Sequence, residues 1–105
     1  MELLLKRAYE PAEATDGYRV LVDRLWPRGL SKERAQIDEW AKDLAPSTEA
    51  RRDFGHKPEN FDSFKQRYLS ELDSNSEVHP ELERMGAGAQ KLQSSRVTLL
   101  YGAKS

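Results

Sequence analysis

The chain has 105 residues, with 17 Lys and Arg against 18 Asp and Glu and a formal net charge of -1. That length points to one domain, the charge balance supplies no overall field for a polyanion, and the absence of cysteine excludes disulfides, thiolate metal sites and cysteine nucleophiles. No apolar run reaches the roughly 20 residues of a membrane span, and Met1–Tyr9 lacks a signal-peptide pattern, so a cytoplasmic protein without membrane contact is expected.

Leu3-Leu4-Leu5 opens a first strand. Glu10 to Gly17, with Pro11 and an Asp-Gly pair, is loop chemistry. Arg19-Val20-Leu21-Val22-Asp23 is the strongest strand, and its consecutive apolar residues suit a strand covered on both faces, as in a parallel sheet. About eight residues separate these two strands, fewer than a parallel crossover usually uses, so they are either antiparallel or not adjacent.

Trp26-Pro27-Arg28-Gly29 breaks the chain. Ser31 is placed to cap a helix in which Ile37, Trp40, Ala41 and Leu44 recur at helical spacing, ended by Ala45-Pro46. Ser47 caps a short helix through Ala50 and Phe54 that Gly55 stops. Pro58 fits a first turn, and Phe61, Phe64, Tyr68 and Leu72 mark a strong amphipathic helix. Pro80 opens a weaker helix with Leu82, Met85, Ala89 and Leu92, in which Gly86 and Gly88 each cost about 1 kcal/mol against alanine. Val97–Tyr101 is a last strand. The expected fold is a small single α/β domain, a short mostly parallel sheet of about three strands packed with four or so helices.

Ligands of open α/β sheets bind beyond the carboxyl ends of the strands. The second strand delivers Asp23, Arg24 and, past the Trp26-Pro27 turn, Arg28 to that rim, while the last strand delivers Tyr101 and Lys104. A helix starting near Ser31 would turn free N–H groups to the same place. Guanidiniums beside a helix N-terminus suit a phosphate or carboxylate. Each residue also has a plainer role: Asp23-Arg24 as a structural ion pair, Trp26 as core or lid, Arg51-Arg52 as a solvated helix face. His56, after Gly55, is an accessible acid or base or a helix cap; His79 is a turn residue. Gly86-Ala-Gly88 follows no strand and is no phosphate loop. Two histidines without cysteine have no zinc spacing, so no metal site is expected, and no cofactor can be named.

The run from Asp16 through Lys32, with Leu5–Pro11 before it, resembles the short YeaO-like branch of the domain-of-unknown-function 488 family. The likeness continues through Leu44–Ser47, Arg51, Phe54–His56, Phe64–Tyr68, Glu71-Leu72 and Val97–Tyr101, and is weakest between Ser74 and Ser95. It implies an α/β domain over residues 1–105 and singles out Asp23, Arg24, Trp26, Pro27, Arg28, Gly29 and Gly55-His56. Related chains run past the last strand into an acidic residue, a His-Asn or His-Cys segment and a closing helix. Here Gly102-Ala-Lys-Ser105 ends the sequence, so a site using that segment is expected to be incomplete.

Three functions follow. The first is binding of a small anionic ligand, a nucleotide or phosphorylated metabolite, by Arg24, Trp26, Arg28, Gly29, Arg51 and Tyr101. The second is an enzyme acting on an anionic substrate, with His56 or Asp23 as acid or base. The third is a protein- or nucleic-acid-interaction module presenting Trp26 and Arg51-Arg52. Nucleic acid is disfavoured, because residues 1–34 hold seven basic and six acidic side chains and form no basic stripe.

Overall fold

Val20-Leu21-Val22 and, Thr98 apart, Val97–Tyr101 are apolar without alternation because both faces of their strands are covered. The computed structural model describes residues 1–102. Its sheet has four strands: β1 (Glu2–Arg7), β2 (Tyr18–Leu21), β3 (Glu39–Trp40) and β4 (Arg96–Tyr101), in the order β1-β4-β2-β3. Every pairing is parallel. The first two strands are therefore not adjacent; β4 lies between them.

One face of the sheet carries the helices. Leu5, Val20, Val22, Leu99 and Tyr101 pack there against α2 (Thr48–Phe54), α3 (Phe61–Ser74) and α4 (His79–Lys91). Phe54 stacks on Phe64 at 4.8 Å, and Phe64 in turn on Tyr68 at 6.2 Å. Burying each such ring contributes about 1.5–3 kcal/mol. The caps anticipated for α2 are present: Ser47 Oγ accepts from the Ala50 amide at 3.1 Å, and Gly55 closes the helix with φ 58°. Leu92, expected on the buried stripe of α4, is exposed just past the helix end. Gly88 has a packing reason to be there, since a Cβ on it would stand 2.9 Å from the Tyr18 ring.

The opposite face is covered without a long helix. Ala8, Leu21 and Leu100 pack against Trp26, Leu30 and Ile37 from the chain between β2 and β3. The β1–β2 crossover runs over this face as an irregular segment with one 3-10 turn, Ala14–Asp16. Asp16 fastens it: its carboxylate takes a hydrogen bond from Lys6 Nζ at 2.9 Å and pairs with Arg19, while Thr98 Oγ1 donates to its carbonyl at 2.6 Å. Three strands are thus tied to one loop residue. Gly17 follows with φ 68°, and a Cβ there would lie 2.2 Å from the Arg96 carbonyl oxygen, so only glycine fits.

The helix expected from Ser31 to Ala45 is not formed. Ser31 does cap a helix, accepting from the Arg34 amide at 3.1 Å, but α1 (Lys32–Ala35) is one turn long and ends at Gln36 with φ 48°. The chain then pairs with β2: the Asp38 amide donates to the Arg19 carbonyl and the Ala41 amide to the Leu21 carbonyl, both at 2.8 Å. This gives the fourth strand, β3, where about three strands were expected. Ile37 serves one face of the sheet while Ala41 and Leu44 serve the other, which no single helix face could do.

Candidate functional site

Because all strands are parallel, the carboxyl ends of β1, β2 and β4 converge on one edge. Each strand releases a polar residue or amide there: Tyr9 after β1, Asp23 after β2 and Gly102 after β4. Between them lies an open cleft of about 520 Å³ lined by Tyr9, Asp23, Trp26, Arg28, His56 and Gly102. A hollow of about 680 Å³ at the opposite end of the sheet contains Met1, Gly86, Gln90 and Ser95, with one carboxylate, Glu83, and no basic side chain. The smaller cleft gathers the ionisable side chains Tyr9, Asp23, Arg28 and His56.

Its walls are fixed by hydrogen bonds from neighbouring turns. The Gly102 amide donates to Asp23 Oδ2 at 2.7 Å, and Trp40 Nε1 donates to the Asp23 carbonyl at 2.7 Å. Trp26 meets Trp40 edge to face at 5.7 Å and donates through Nε1 to the Leu30 carbonyl at 2.6 Å. Tyr9 Oη donates to the Arg28 carbonyl at 2.7 Å, which holds the Trp26–Gly29 turn over the end of β1. His56 reaches the cleft by an unusual route: it follows Gly55 as a second consecutive residue of positive φ, 55°, and its ring lies 5.7 Å from that of Phe54. Such a conformation costs a non-glycine residue about 1–2 kcal/mol and is found where the surroundings enforce it.

Burial raises the Asp23 carboxyl to about 6, against the opposing pull of the Gly102 amide and the charges of Arg51 and His56. Burial, reinforced by the Asp23 charge, pushes the Tyr101 hydroxyl up to about 12. Tyr9 is raised by burial and then by Asp23. Arg51, in the last turn of α2, has its Nε buried without a hydrogen-bond partner among the described residues. Arg19, Arg67, Arg84 and Arg96 each hold a carboxylate, whereas Arg28 and Arg51, like Arg7, Arg24, Arg34 and Arg52, form no ion pair among the described residues.

Of the residues anticipated from sequence, Asp23, Trp26, Arg28 and His56 line the cleft together. Tyr101 and Arg51 do not line it; Arg51 acts on Asp23 by charge, and the Asp23 charge helps to keep the Tyr101 hydroxyl protonated. Gly29, at φ 79°, turns the chain and lines a neighbouring hollow with Tyr9, Ser31 and Arg34. Arg24 is exposed and lines none of these hollows. Lys104 lies outside the described residues. The expected helix N-terminus is not available for an anion, since a one-turn helix has little dipole and its Ser31 side chain already takes up the Arg34 amide. Tyr9, Trp40 and the Gly102 amide were not singled out from sequence. Tyr9 had a signal, lying inside the Leu5–Pro11 segment that carries the family likeness; the other two depend on contacts across the fold.

An α/β domain with a parallel sheet and a polar cleft at the carboxyl ends of its strands describes many proteins; the sequence comparisons narrow it. The family described as "Inactive DUF488-N3 subclade" matches residues 2–105, and the chain belongs to that family. It is 44% identical to "Uncharacterized protein YeaO" of Escherichia coli K12 over 105 residues, which is 100% of this chain and 86% of the relative. It is 50% identical over 66 residues to "Uncharacterized protein Rv3073c" of Mycobacterium tuberculosis H37Rv and to "Uncharacterized protein Mb3100c" of Mycobacterium bovis, covering 63% of this chain and 56% of each relative. No solved structure matches the chain. No helix among the described residues is long and apolar enough to cross a membrane.

Proposed function

We propose that the cleft at the carboxyl ends of β1, β2 and β4 binds a small anionic ligand, with Arg28 as its principal cation. One observation carries this reading. Of the six arginines that form no ion pair among the described residues, Arg28 is the one that lines this cleft, and Arg51 behind it has a buried Nε without a hydrogen-bond partner there. His56 adds an imidazole to the lining. A concave site of about 520 Å³ is in the range of small-molecule pockets, and the Arg28 guanidinium lining it would be stabilised by an incoming anion.

Binding is favoured over catalysis. The family description carries the word "Inactive". One oxygen of Asp23, the candidate acid or base, is already committed to the Gly102 amide. Trp26 is half-buried, with its indole N–H tied to Leu30, which suits a wall of the cleft better than an exposed docking surface.

The test is a thermal-shift and calorimetric screen of sugar phosphates, nucleotides and inorganic oxyanions at two salt concentrations, with Arg28→Ala alongside. The expected result is saturable, salt-sensitive binding that Arg28→Ala abolishes while the variant stays folded. A ligand at 100 times its Kd would stabilise the fold by about 2.7 kcal/mol, a clear rise in Tm for a chain of this size. Unchanged affinity in Arg28→Ala would remove the proposal.

A further inference from the structure

The carboxylate of Asp23 is out of place in a receptor for a simple anion. An oxyanion drawn in by Arg28 would also meet Asp23, which lines the same cleft, and like charges brought together in a desolvated site reject the ligand. The carboxylate is also held in position: the Gly102 amide fixes Oδ2 at 2.7 Å and Trp40 Nε1 fixes the carbonyl of the same residue at 2.7 Å. Gly102 supplies the one hydrogen bond it accepts among the described residues. An immobilised carboxylate with acceptor capacity to spare selects for a donor on the ligand. Arg51 already acts on Asp23 by charge and Arg28 lines the same cleft, so a further positive charge would be opposed by them. Neutral hydroxyls would not. Trp26 offers an aromatic wall beside these groups, suited to the C–H face of a sugar or the face of a base.

Building on the anion-binding reading above, we propose that the ligand is a sugar phosphate, free or as the sugar-phosphate part of a nucleotide. Its phosphate is held at Arg28 beside His56, and its hydroxyls donate to Asp23. Arg28 supplies attraction for any anion; Asp23 is the specificity-determining residue, excluding oxyanions that bring no donor.

The experiment titrates the full chain with inorganic phosphate, ribose 5-phosphate and adenosine 5′-monophosphate, by calorimetry and by indole fluorescence. Ribose 5-phosphate is expected to bind at least about tenfold more tightly than phosphate, the discrimination a charge-assisted hydrogen bond gives. Asp23→Asn is expected to collapse that ratio, weakening ribose 5-phosphate while strengthening phosphate. Tighter binding of adenosine monophosphate than of ribose 5-phosphate, with a change in indole emission, assigns the nucleotide; equal binding assigns the free sugar phosphate. Phosphate bound as tightly as ribose 5-phosphate by the wild type, in an Arg28-dependent way, overturns this inference and leaves the anion site standing. Silence of all three probes overturns both. The wild-type ratio decides the matter without any variant having to fold.

Discussion

Two aspartates flank β2, and the fold treats them in opposite ways. Asp16, before the strand, is buried between Lys6 and Arg19, and these partners together with the Glu13 amide outweigh the cost of its burial and hold its carboxyl below the ordinary value. Asp23, after the strand, is partly enclosed, its carboxylate accepting one hydrogen bond among the described residues, and burial wins, raising it to about 6. The first carboxylate is satisfied by the protein and secures a crossover. The second is left with acceptor capacity and lines a cleft with Arg28, which forms no ion pair among the described residues. The difference separates a charge kept for structure from one available to a ligand.

The largest expected effect belongs to the first. Asp16→Ala leaves Arg19, 3% exposed, and Lys6 without their buried counter-charge, and loss of one partner of such a pair costs about 3–5 kcal/mol. That is a large part of the stability of a small domain, so urea denaturation should show a sharply lowered midpoint or an unfolded chain. A loss below about 1 kcal/mol would mean that the crossover is held by other contacts and that the contrast between the two aspartates is false.

Asp23 should act in the opposite direction, and its pH dependence carries the sign. A carboxyl whose folded value is raised contributes stability that is fully present below the unfolded value near 4 and is lost as pH rises through about 6. Asp16, with a lowered folded value, contributes stability that is present above the unfolded value and lost as pH falls. Asp23→Asn should therefore stabilise the protein at pH 8 by about 1–2 kcal/mol, less than a fully enclosed carboxyl would give because the cleft is open to solvent. The gain should vanish near pH 4. Glu81, raised to about 7 by burial and its contact with Asp43, slopes the same way, so the quantity to measure is the difference between variant and wild type across pH 4–8. A variant destabilised at pH 8 would show that Asp23 is a structural anchor like Asp16.

How much of this was legible follows from where the determining contacts lie. The strands β2 and β4 and the helices α2 and α3 are written locally, in mainly apolar runs without strict alternation, in Ser47 and Gly55 as caps, and in the spacing of Phe61, Phe64, Tyr68 and Leu72. Ile37, Trp40, Ala41 and Leu44 have the same spacing as a helix face, yet the bonds of Asp38 and Ala41 to β2 decide their structure, and those are between residues about twenty apart. The crossover is hidden for the same reason, since Asp16-Gly17 reads as a turn and its bonds to Lys6, Arg19 and Thr98 are invisible in one dimension. For the site, a strand-end argument reaches Asp23 and Arg28 because parallel strands deliver their carboxyl ends to one edge. It cannot separate Arg28 from Arg24, four residues apart in the same segment; only the turn at Trp26-Pro27 does that.

That separation gives the smallest effects on stability. Arg24 and Arg28 are both exposed and form no ion pair among the described residues, so alanine at either position should change the unfolding free energy by no more than about 0.5 kcal/mol. Their consequences for a ligand should differ completely. Arg28 lines the cleft and Arg24 does not, so a ligand that binds the wild type should be lost in Arg28→Ala and retained within about twofold in Arg24→Ala, because a solvated charge outside the site acts only through a screened field. Raising the salt should shrink even that twofold difference. An Arg24→Ala variant as impaired as Arg28→Ala would move the anion away from Asp23 and towards the exposed part of the loop. The two carboxylates flanking β2 would then differ in their burial and partners without either one meeting the ligand.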